Sequence, residues 1–60
     1  MSTVYNPEAD IIAEIEKLEL EARGLRRRLR QAHNGEDKRV LNRLVKETEE
    51  RVELLRQRLP

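Results

Sequence analysis

Two apolar stripes of the same period lie on either side of Asn34-Gly35, and they match each other along their length. The first is Ile11, Ile15, Leu18, Ala22, Leu25, Leu29 and Ala32, with steps of four and three in alternation. The second is Leu41, Val45, Thr48, Val52, Leu55 and Leu59, with the same alternation. Such a repeat lays a continuous apolar seam along one side of an α-helix and predicts left-handed coiled-coil packing. If the chain folds back at Asn34-Gly35, residues whose numbers add to 70 face each other. Leu29 then meets Leu41, Leu25 meets Val45, Ala22 meets Thr48, Leu18 meets Val52, Ile15 meets Leu55 and Ile11 meets Leu59. Two unrelated amphipathic helices would not keep one sum throughout. The expected fold is all-α, an antiparallel two-helix coiled-coil hairpin.

Punctuation residues fix the expected boundaries. Asn6-Pro7-Glu8 reads as a helix start, with Asn6 as cap, Pro7 in the first turn, and Glu8 and Asp10 at the positive end of the dipole. Asn34-Gly35 reads as a helix stop, because both residues tolerate the left-handed conformation. Glu36-Asp37 supplies acid for the next helix start. Residues 1–6 are therefore expected as a flexible N-terminal tail, and residues 7–60 as the hairpin. Helix 1 should span about 7–33, the turn 34–36, and helix 2 about 37–59.

Composition removes several alternatives. Sixty residues allow one domain, and a single core of this size rarely supplies more than ~3–5 kcal/mol. There is no cysteine, so disulfides and thiolate metal sites are excluded. Tyr5 is the one aromatic residue, which argues against a base-stacking platform. No apolar run approaches the ~20 residues of a membrane span. The first five residues lack the basic flank and apolar stretch of a secretory signal, so a cytoplasmic setting is expected. No nucleophile–base pair or glycine-rich phosphate loop is present. His33 beside Glu36 and Asp37 reads as a polar turn rather than a metal site. The expectation is a non-enzyme with no cofactor and no metal.

A hairpin with so narrow a seam is undersized as a monomer. Ile12, Leu20, Val40, Leu44 and Leu54 fall off the seam, and Ile12 and Leu44 widen it toward the broader face typical of bundles. Charge is strongly segregated. Residues 8–22 carry six acids and one lysine, and residues 23–33 five arginines and no acid. Residues 36–46 carry two acids and four bases, and residues 47–60 four acids and three bases. The loop half is thus +7 and the open half −6, within a total of +1. Two hairpins stacked antiparallel would set basic ends beside acidic ends, making a two-fold four-helix bundle. Ile12, Leu20, Ala22, Gly24 and Leu44 are the expected oligomer interface. Within the hairpin, Glu14 falls near Arg58 and Glu21 near Arg51, whereas Glu19 falls near Glu49.

The segment Arg23-Gly24-Leu25-Arg26-Arg27-Arg28-Leu29-Arg30 is the most distinctive local motif. Guanidinium forks suit phosphate or carboxylate. Arg23, Arg26, Arg27, Arg28 and Arg30, with Arg39 and Arg43 from helix 2, are the candidate contacts to an acidic partner or a phosphate. In size and layout the chain resembles the Rop family, small hairpins that dimerise into four-helix bundles and bind paired RNA loops. The stretch from Asn34 to Leu55 is similar to the helical-hairpin co-chaperones of type III secretion needle subunits. Leu25–Gln31 resembles the nucleotide-binding helix of cyclic-di-GMP-dependent anti-sigma factors at Arg27 and Gln31. Leu20, Gly24 and Gly35 replace that family's acid, Ser and Asp. The expected function is a small protein-interaction module acting through helix–helix packing: an adaptor, chaperone-like or regulatory hairpin. Its expected partners are a second copy or a partner helix, with no membrane. The alternative is an RNA- or DNA-binding regulator using the arginine-rich end of helix 1.

Overall fold

A computed structural model of the chain describes residues 7–60. The expected tail and the Asn6 cap lie outside the described residues. Two helices, α1 (Pro7–Gln31) and α2 (Gly35–Arg56), pack against each other as a hairpin. Pro7 opens α1, where its missing N–H costs nothing because a first-turn amide has no partner within the helix. Glu8 and Asp10 lie in that first turn, and Arg28 and Arg30 in the last, each favourable to the dipole.

The turn differs from the sequence expectation. The chain leaves α1 at Gln31, and the Ala32 amide donates to the Leu29 carbonyl at 3.3 Å. Asn34 is extended, at φ −93° and ψ 132°, and its side-chain oxygen accepts from the Glu36 amide at 2.8 Å. Its carbonyl accepts from the Lys38 amide at 3.0 Å. Asn34 is thus the N-cap of α2 and Gly35 the first helical residue, not a stop for α1. No described residue has positive φ. Asn-Gly-Glu-Asp can serve either helix end. With acids in the first turn of α2, capping that turn satisfies an amide that would otherwise lack a partner. The C-terminus closes with tight turns, in which Arg58 and Leu59 amides donate to the Leu55 and Arg56 carbonyls.

The core is the matched seam. Ile15, Leu18, Ala22, Val45 and Val52 are buried. Ile15, Leu18 and Val52 form one cluster, with Ile11, Leu55 and Leu59 packed against it. Those are the neighbours that the sum of 70 brings together. The densest packing therefore lies toward the open end. Among the described residues, no side chain is completely buried, because each helix has only one neighbour to cover it.

Candidate functional site

The two flanks of the seam are chemically unlike. On one, Glu19 accepts from Arg56 at 2.7 Å, and Arg26 pairs with Glu49. This corrects the expected meeting of Glu19 with Glu49. Side chains on a helix lean toward its N-terminus, so those of antiparallel helices lean in opposite senses. Glu19 leans toward the open end, where Arg56 leans to meet it. Glu49 leans toward the loop and finds Arg26. The two acids diverge, and each gains a cation instead. Both pairs are about half exposed, so each contributes ~0–1 kcal/mol. They bracket the thin Ala22–Thr48 layer, and a depression lined by Ala22, Val52 and all four charged partners lies over it.

Among the described residues, the other flank has no such clasp between its helices. Glu14 and Arg58 line one depression there, and Glu21 and Arg51 another, without an ion pair between either couple. The groove continues past Gly24, Leu25 and Arg28 to Val40 and Leu41 near the loop. Leu44 is 40% exposed, Val40 48% and Leu54 62%, all along α2 on this side. Residues 40, 44, 47, 51, 54 and 58 repeat the four-three step one position ahead of the core seam. Sequence reasoning noted the apolar members but did not join them with Glu47 and Arg51 into a stripe. That spacing was the available signal.

The other expected interface residues separate. Ala22 is 4% exposed and belongs to the hairpin's own core. Helical position puts Ile12 in line with Glu19 and Arg26 on the ion-paired flank, and Leu20, 66% exposed, on the outer face of α1. A Cβ at Gly24 would meet nothing within 4 Å, so no helix of this chain approaches it closely.

All seven candidate arginines are exposed, but they do not share one face. Arg26 is engaged with Glu49, and Arg23 lines the depression beside it. Arg28 faces the opposite groove. Helical position puts Arg27 and Arg43 on the outer faces. Arg30 and Arg39 fall on the ion-paired flank near the loop. Among the described residues, no group of three His, Cys, Asp or Glu side chains could hold a metal ion. No described helix is long and apolar enough to cross a membrane. No protein-family model, curated protein or solved structure matches the chain.

Proposed function

We propose that the chain is a small non-enzymatic interaction module of the cytoplasm, working as an adaptor, chaperone-like or regulatory hairpin through helix–helix packing. Its first partner is a second copy, in a dimer of hairpins that makes a four-helix bundle. One observation carries the reading. Among the described residues, five large apolar side chains stand 40–66% exposed, as many as the five that form the buried core. A hairpin that leaves this much apolar surface in water gains by covering it with another helix. Circular-dichroism melts over about a hundredfold range of concentration test it, because association raises Tm by mass action. A rising Tm is expected, and a constant one overturns self-association.

Charge placement favours nucleic acid as a second reading. Arg23, Arg30, Arg39 and Lys46 fall by helical position on one flank of the positive half, and all are exposed. Binding of an RNA hairpin or DNA duplex through them would weaken steeply with salt by counterion release. Absence of binding at about 50 mM salt removes this reading.

A further inference from the structure

We propose that the dimer forms through the unclasped flank, by an isologous antiparallel contact of the α2 stripe Val40, Leu44, Glu47, Arg51, Leu54 and Arg58 with the same stripe of a second copy. This rests on the self-association proposed above and specifies its face and register. A two-fold interface must be complementary to itself. The stripe meets that condition. Let two copies of α2 run antiparallel so that facing numbers add to 98. Leu44 then meets the partner's Leu54, Glu47 meets the partner's Arg51, and Val40 lies against the stem of the partner's Arg58. Each contact occurs twice. The two leucines are exposed in the single chain, and the acid and base find opposite charge across the axis.

Helix α1 supplies a second, independent agreement. The two-fold axis passes level with residue 49 of α2, and the hairpin register sets that level at residue 21 of α1. Facing residues of two α1 helices then add to 42. Glu14 meets the partner's Arg28, again twice, on the same flank. One axis thus satisfies opposite charges on both helices. The two Glu21 carboxylates meet at the axis. Each lies beside Arg51 of its own chain, with which it lines a depression, so the like charges have cations at hand. The ion-paired flank offers no equivalent, because Glu19, Arg26, Glu49 and Arg56 already hold one another.

Sedimentation equilibrium of the full chain and its variants tests the face. Leu54→Glu should leave helicity intact, because Leu54 is outside the core, and should weaken the dimer at least tenfold. Ile12→Glu, on the opposite flank, should leave the dimer unchanged. Glu47→Arg should weaken the dimer, and adding Arg51→Glu to it should restore association. With no native cysteine, a mixture of Leu44→Cys and Leu54→Cys chains should cross-link on oxidation far more than either chain alone. A dimer that survives Leu54→Glu and is lost with Ile12→Glu overturns this face and leaves the interaction reading standing. A helical wild-type monomer at high micromolar concentration overturns both.

Discussion

At Gly35 the missing Cβ does nothing for the backbone. The residue is the first of α2, no described residue has positive φ, and an added Cβ would meet nothing within 4 Å. Gly35→Ala should therefore stabilise the chain by ~0.5 kcal/mol, through lower unfolded-state entropy and better helix propensity. A left-handed helix stop would give the opposite sign, so a denaturant midpoint decides between the two geometries. Asn34 contributes through its side chain. Asn34→Ala should cost ~1 kcal/mol because the Glu36 amide loses its acceptor, and Asn34→Gly only a few tenths. Thr48 is the polar member of the seam, and its hydroxyl donates to the Leu44 carbonyl of its own helix at 2.8 Å. No group of α1 depends on that hydroxyl. Thr48→Val should be neutral or stabilising by up to ~1 kcal/mol, since it replaces a back-bonded hydroxyl with a methyl group in an apolar layer. A midpoint lowered by more than that would show that the hydroxyl holds something besides its own helix.

The two helices hold together through a seam one layer deep, and its strength is uneven along the length. Ile15, Leu18 and Val52, with Ile11, Leu55 and Leu59 against them, concentrate packing toward the open end. The Ala22–Thr48 layer is thin and carries less apolar contact. Leu18→Ala should cost ~2–3 kcal/mol in chemical denaturation, a large part of what so small a core can supply. Oxidation should link Ile15→Cys with Leu55→Cys inside one chain, whereas Ile15→Cys with Val45→Cys should stay open. Intramolecular linkage of the second pair would break the register. The packing of two helices back to back was legible in the sequence because apolar period and pairing sum are both properties of residue numbers. The cap at Asn34 was not, because Asn-Gly suits either helix end and only the backbone conformation chooses. The Glu19–Arg56 and Arg26–Glu49 pairs were missed for another reason. They depend on the tilt of side chains along each helix, which level-by-level pairing ignores. The α2 stripe was half legible: its leucines stood out, but its acid and base looked like ordinary surface charge.

In the whole molecule, a net charge of +1 conceals a loop half of +7 and an open half of −6. Such a distribution acts on orientation more than on affinity, because exposed charges are screened and two parallel hairpins would set like ends together. A broad test by reversing any arginine against any acid would fail here. Arg26 and Glu19 are engaged inside the hairpin, so changing them alters the fold's own pairs along with any contact between copies. Glu14 and Arg28 have no such ion pair and sit on the unclasped flank, which makes them the clean couple. In a two-fold dimer, Arg28→Glu places an acid against the partner's Glu14 twice, and Glu14→Arg places a base against the partner's Arg28 twice. Each variant alone should self-associate more weakly than the natural chain. Mixed, they should pair with each other, because both facing couples then become attractive. Native mass spectrometry of an equimolar mixture should show heterodimer above the statistical half at low salt. The excess should shrink as salt shortens the screening length toward ~3 Å at about 1 M, while total dimer, which the proposed packing holds through Leu44 and Leu54, should persist. A statistical mixture at every salt concentration would separate the charge pattern from the orientation of the bundle.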